Sequence, residues 1–242
     1  MKFIRKTSSE PQDLISWKAQ NPQMNWEDFK SRETCGRLRT LLLQEQGYIC
    51  CYCEREIDEH RGHFEHVVPR SFKDKNGVAE GRQRELDYHN IVFSCTKMNK
   101  PIDEKGDKVT CGHPKGDWYD ENLFVTPLQE NCESLFHYKN VGTVVPVDGP
   151  DSGKAQATID RLKLNGEPLD DELESFLVRE RKRVIDGLWN IWRQDYFETD
   201  FSGMRRWAES ELSRFPRDQL APFWTTKRQV FEEILGTKLT IQ

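Results

Sequence analysis

Four thiols at Cys50, Cys53, Cys95 and Cys111, interleaved with Glu65, His66, Asn90 and His113, are the residues of this chain best suited to chemistry. A Cys-x-x-Cys turn directs two thiolates at one ion, and a structural Zn²⁺ asks for two more ligands at about 2.3 Å. Cys95 and Cys111 are the natural second pair, although fifteen residues separate them instead of the usual two. Cys51 could replace one of the knuckle cysteines, and ordinary buried thiols are the alternative reading of Cys95 and Cys111. The second set offers a carboxylate and imidazoles for a harder cation. Histidine, with an ordinary pKa of about 6.5, is mostly neutral at physiological pH and can take a proton from water. Phosphodiester hydrolysis needs that combination, a base for the water and a cation for the charge on the phosphate and leaving oxygen.

Elements must bring these residues together. Apolar residues at helical spacing from Pro11 to Gln46, ending at Leu38, Leu41, Leu42 and the stop signal Gly47, predict two or three helices. Tyr48 to Cys53 reads as a hairpin limb, His63 to Pro69 as a strand leaving into a loop, and residues 73–81 as an exposed excursion. Leu86 to Phe93 should re-enter the fold. Glu65 and His66 are adjacent on the expected strand and start on opposite faces, so a bend or bulge at its end is needed for both to reach one site. Thr143-Val-Val-Pro reads as extended, and the texture after Lys154 turns helical. The apolar face from Leu169 to Trp192 predicts a long helix, followed by two more around Met204 to Leu212 and Thr226 to Leu235.

The chain of 242 residues, with seven Trp and thirteen Phe, can fill a sizeable core. No stretch approaches the roughly 18 to 20 apolar residues of a membrane span, and the opening residues do not resemble a secretion signal, so a cytoplasmic location is expected. Seven cysteines, three of them crowded into Cys50-Cys51-Tyr52-Cys53, suit metal binding better than disulfides. Against 41 acidic residues stand 36 basic ones, a net charge of −5, which argues against holding nucleic acid by bulk electrostatics. Arg70, Lys73, Lys75, Arg82 and Arg84 flank the proposed site and could grip phosphates; a solvated loop is the alternative. The basic run Arg179, Arg181, Lys182 and Arg183 reads as a solvated helix face or a partner contact.

Tyr48-Ile-Cys-Cys-Tyr-Cys-Glu, Phe64-Glu-His-Val-Val-Pro-Arg-Ser, Leu86-Asp-Tyr-His-Asn-Ile-Val-Phe-Ser-Cys and Thr110-Cys-Gly-His-Pro-Lys-Gly-Asp resemble successive blocks of the HNH endonucleases of the ββα-metal fold. With the opening Met1-Lys-Phe-Ile-Arg-Lys, the later Thr158-Ile-Asp-Arg-Leu-Lys-Leu-Asn and the helical tail, the whole pattern resembles the PtuB nucleases of Septu-type and retron-associated antiphage systems. The resemblance implies an α+β protein: a zinc-stapled ββα core over residues 48–150, a helical extension over 1–47 and a helical subdomain over 151–242. It implies a metal-dependent endonuclease, on DNA in preference to RNA, with structural Zn²⁺ and catalytic Mg²⁺ or Mn²⁺. His66 would be the general base, Glu65 and His113 the ligands of the catalytic ion, and Asn90 the brace of the loop that orients His66. Lys115 would meet phosphate, with Arg70 also in reach of the substrate.

The implied partners are a PtuA-like ABC-type ATPase and, in a retron setting, a reverse transcriptase and its msDNA. A zinc-stapled interaction module without catalysis, or an RNA-cleaving enzyme, is the competing expectation. One departure is visible: the family often places its last ligand directly after the final cysteine, where this chain has Gly112. An alternative register, Cys95-x-x-Met98-Asn99-Lys100, would make Asn99 that ligand but put Met98 where a thiolate is needed. His63 stands close enough to Glu65 to touch the site, whereas His60, His89 and His137 read as surface residues.

Overall fold

The computed structural model describes residues 1–7, 9–95, 110–167, 175–197, 199–214 and 218–240. Its N-terminal helices α1 (Gln12–Gln20), α2 (Trp26–Phe29) and α3 (Glu33–Glu45) fall where the apolar spacing put them. The Asn25 side chain caps α2 by accepting from the Glu27 and Asp28 N–H groups. Helix α3 turns Cys35, Leu38, Leu42 and Leu43 inward. Gln46, at its end, donates to the Phe93 carbonyl and accepts the Phe93 N–H, which fastens the helix to the strand that carries Cys95. The chain then reverses at Gly47, at φ +63°, where a β-carbon would stand 2.4 Å from Leu220.

The element that carries the chemistry is a hairpin-like pair. Strand β1 (Gly62–His66) runs antiparallel to β2 (Ile91–Cys95), with Gly62 opposite Cys95 and His66 opposite Ile91. Strand β2 is buried throughout, whereas β1 is only partly buried over its first three residues. The segment joining them holds the one-turn helix α4 (Glu80–Gln83) and a 3₁₀ turn at Tyr88–Asn90. After residues 96–109, helix α5 (Gly112–Lys115) makes a single turn.

A second pair, β3 (Phe136–Tyr138) and β4 (Val144–Pro146), leads into α6 (Ser152–Arg161). The extended reading at 143 is met by β4; β3 has too few residues for its alternation to stand out in the sequence. Helices α7 (Phe176–Gln194), α8 (Phe201–Leu212) and α9 (Trp224–Leu235) follow, with α9 packed on both α7 and α8. Ser175 caps α7 by accepting from the Val178 N–H. The architecture is therefore α+β. No helix among the described residues is long and apolar enough to cross a membrane.

Two apolar clusters hold it. The first joins Leu14, Phe29 and Leu42 of the N-terminal helices to Tyr52, Ile91, Phe93, Phe124 and Leu162, so residues 1–47 share a core with the strands. The second gathers Ile185, Leu188, Trp192, Met204, Trp224 and Phe231 of the C-terminal helices, with Ile49 reaching in from the knuckle. Arg181 departs from expectation. It is buried between the two elements it joins, donating to the carbonyls of Gly142 and Leu164 with its guanidinium over Tyr138. Its neighbours in the basic run, Lys182 and Arg183, pair with Asp186 and Glu180 on the same helix.

Candidate active site and metal centre

The sulfurs of Cys50, Cys53, Cys95 and Cys111 lie within 4.8 Å of one another, all four buried. Cys53 and Cys95 are 3.8 Å apart. Tetrahedral thiolates at about 2.3 Å from one ion stand roughly 3.8 Å apart, so the donor set and its spacing both fit zinc. Each sulfur is delivered by a different constraint. The knuckle turn supplies Cys50 and Cys53, the end of β2 supplies Cys95, and Cys111 sits at φ +67°, a conformation that costs an L-residue on the order of 1 kcal/mol or more. The Cys95 N–H donates to the Cys50 sulfur. Burial opposes ionisation at Cys50, but hydrogen bonds from Cys111, Cys51, Cys53 and Cys95 outweigh it and hold that thiol well below its ordinary pKa. Burial and the neighbouring sulfurs push Cys111 well above. Four thiolates together would need a cation, and this buried cluster could hold one.

Cys51 stays outside the cage, and Cys35 and Cys132 are buried in the apolar core. Arg55 has no signal in the sequence that marks it. It lies largely buried beside the sulfurs, and although burial pulls its pKa down, the Cys53 and Cys95 charges push it up.

The other set lies on and around β1. Alternation places His63 and Glu65 on one face and Phe64 and His66 on the other. The register is regular through His66, and the chain bends directly after it, at Val67 and Val68, the strand end where a bend was expected; Glu65 and His66 themselves stay on opposite faces. On the first face, Glu65 Oε1 accepts from Tyr52 at 3.2 Å and from Lys115 Nζ at 2.8 Å, while Oε2 faces His63 Nε2 at 3.6 Å. Burial favours the neutral acid, but the facing His63 ring and the Lys115 ammonium win and hold the Glu65 pKa below the ordinary value. The carboxylate is ionised. His113, exposed on α5, packs its ring against His63 with centroids 4.7 Å apart.

Lys115 is not where a phosphate could meet it. It is 2% exposed, pinned between Glu65 and the His66 carbonyl, to which it donates at 2.9 Å. In this position it is the counter-charge of Glu65. Arg70 remains partly exposed and pairs with Glu27 of α2 at 2.6 Å.

On the second face, His66 is packed edge-on against Trp26 at 4.7 Å, and its Nε2 lies 2.9 Å from the Glu85 carbonyl. A carbonyl only accepts, so Nε2 carries the hydrogen and Nδ1 holds the free lone pair. Burial lowers the His66 pKa to about 4, so the ring is neutral at physiological pH. Asn90, fully buried, accepts the Val68 N–H at 2.8 Å and donates to the carbonyls of Val68 and Arg84 at 3.0 and 3.1 Å. It thereby fixes both the bend after His66 and the segment whose Glu85 carbonyl orients the ring. Trp26 and Glu85 were invisible to the sequence reading, since neither carries a motif. The alternative ligand Asn99 lies outside the described residues.

No family model matches the sequence. The chain is 32% identical over 239 residues to the "Retron Ec83 putative HNH endonuclease" of Escherichia coli, across 82% of this chain and 92% of the relative. The chain belongs to the HNH endonucleases. A second relative, the "Retron Vc95 putative HNH endonuclease" of Vibrio cholerae serotype O1 biovar El Tor, is 28% identical over 196 residues, 75% of this chain and 80% of its own length. HNH endonucleases are phosphodiester hydrolases, and both relatives align over the greater part of this chain, more than a single motif would account for.

Proposed function

We propose that this HNH endonuclease is a metal-dependent nuclease of an antiphage system, cutting DNA, with β1, β2 and α5 as its ββα-metal unit and His66 as its general base. The observation that carries the reading is the linkage from Asn90 to the 84–85 segment to His66, which fixes the tautomer that a base needs. His66 Nδ1 takes the proton of the attacking water while Nε2–H stays on the Glu85 carbonyl. Lys115 and Tyr52 hold one oxygen of Glu65, leaving Oε2 for a cation, for which His113 would supply the second protein ligand. When bound, Mg²⁺ or Mn²⁺ would offset charge on the scissile phosphate and the leaving oxygen. Because His66 and Glu65 occupy opposite faces, a phosphate they share must sit at the open edge or the end of β1. Cys50, Cys53, Cys95 and Cys111 would hold Zn²⁺, and a bound ion would tie the Cys95 end of β2 to Cys111, next to His113.

The cations around the site are largely spent on acids. Arg70 pairs with Glu27, Arg82 with Glu85, and Arg84 with Glu80 and Asp87. With a net charge of −5, that supports delivery of nucleic acid by partners, namely a PtuA-like ATPase and, given the retron names of the relatives, a reverse transcriptase and its msDNA. The test is a cleavage assay on DNA and RNA with Mg²⁺, Mn²⁺ or chelator, with and without the ATPase. The reading expects metal-dependent cutting of DNA that His66→Ala removes. Equal activity of His66→Ala would reject the base, and cleavage of RNA alone would reject the substrate.

A further inference from the structure

We propose that one margin of α3, formed by Arg32, Gly36 and Arg39, is a track for the phosphate backbone of the nucleic acid on its way to His66. This rests on the reading of the protein as a nuclease with His66 as its base and adds how the substrate is held. The three residues follow at intervals of four and three, so they line one side of the helix from its N-cap inward. They border the face that Cys35, Leu38 and Leu42 bury, on the side of β1, where the Arg39 guanidinium lies over the Phe64 ring at 5.6 Å. A guanidinium held by its face on a ring keeps the N–H donors of its edge for another partner. Arg39 pairs with no acid and makes no hydrogen bond among the described residues, in contrast to Arg70, Arg82 and Arg84. Arg32 is exposed and gives its Nε to the Asp28 carbonyl, with no carboxylate against it among the described residues.

Gly36 is an independent sign of a ligand. Glycine inside a helix is less favourable than alanine, and nothing in the fold asks for it here. It does not stand at positive φ, and a β-carbon would meet nothing within 4 Å. The bare backbone between two arginines is the place where another chain can approach α3 most closely. Arg32 and Arg39 are about 10.5 Å apart along the axis, about three nucleotide steps on one strand. Each guanidinium can thus take its own phosphate while Gly36 lies beneath the stretch between them. Phe64 carries the path onward. It shares the second face of β1 with His66, about 6.7 Å along the strand, and the Trp26 ring packs on both, 5.2 Å from Phe64 and 4.7 Å from His66. Contacts of this kind hold and orient a strand without reading its bases.

The experiment measures DNA cleavage by the zinc-loaded full chain, with the ATPase where cutting needs it, as KM and kcat across a range of salt. Arg39→Gln is expected to raise KM about five- to tenfold with kcat within about twofold. It should also flatten the slope of log KM against log salt by about 0.9, the loss of one phosphate contact. Arg39→Lys, which keeps a charge, should restore most of that slope. Gly36→Leu should raise the melting temperature, because leucine is the better helix former, and raise KM in the same protein; a merely structural glycine would not do both. Arg37→Gln is the control, since Arg37 lies on another side of α3 and already pairs with Asp13 and Glu33. Unchanged KM and slope in Arg39→Gln and Gly36→Leu, or an equal change in Arg37→Gln, would overturn the track. Cutting that survives His66→Ala yet still depends on Arg39 would reject the base and leave the track standing, whereas a wild type that cuts no nucleic acid would bring down both.

Discussion

Two groups of side chains around the β1–β2 pair are built to opposite specifications. At the Cys95 end, four soft donors close around one point in a dry interior, all within 4.8 Å of each other. Along β1, Glu65 and His63 share one face and His66 lies on the other, and the four sulfurs are the one such closed cluster among the described residues. A structural site is saturated by protein, whereas a catalytic site must keep positions open for water and substrate. The strand pair contributes Cys95 to the closed cluster and His63, Glu65 and His66 to the open set, and Cys111-Gly112-His113 runs between them, with a sulfur in the one and an imidazole beside the other.

The sharpest way to break this contrast is to empty the closed end. Cys111→Ser should lose zinc and, because binding energy at such a site is folding energy, on the order of 5 kcal/mol or more of stability; metal analysis with thermal melting reads both. Full zinc stoichiometry in that variant would dissolve the distinction. At the open end, His66→Ala should leave zinc content untouched and lower the cleavage rate by about 10²- to 10⁴-fold. Asn90→Ala strands the buried Val68 and Arg84 backbone groups, at about 3 kcal/mol in total. It should slow cleavage as well, because the Glu85 carbonyl is no longer fixed; normal kcat with reduced stability would confine Asn90 to the fold.

A smaller effect comes from pH. The folded protein holds His66 at a pKa of about 4, below the unfolded value of about 6.5, so the unfolded chain binds the proton first as pH falls. Stability from this group is complete above pH ~6.5 and is lost as pH drops toward 4, by about 2 to 3 kcal/mol. Urea unfolding of wild type and His66→Gln across that window should diverge; parallel curves would place His66 in water. Smallest of all, Cys51→Ala should cost about 1 kcal/mol of packing and no zinc, because its sulfur stands outside the cage.

Much of the chemistry was legible because it is carried by residue type and local spacing. Cys50 and Cys53 are two thiols on one turn, and the C-terminal helices announce themselves by a repeating apolar face. The same alternation rule puts Glu65 and His66 on opposite faces, and the structure keeps them there, with the bend falling after them at Val67 and Val68. Lys115 was misplaced for the converse reason. A lysine beside a glycine-rich turn reads as exposed, and nothing local tells that its ammonium is needed by a carboxylate fifty positions earlier.

Spacing along the chain marks the candidate ligands, base and cage sulfurs, since side-chain chemistry and the two- and 3.6-residue periods are local properties. Only the tertiary structure decided the pairings: Trp26 and the Glu85 carbonyl on His66, Tyr52 and Lys115 on Glu65, His63 beside both Glu65 and His113. Those contacts join segments far apart in sequence, and their choice follows from what each buried polar atom must find once water is gone.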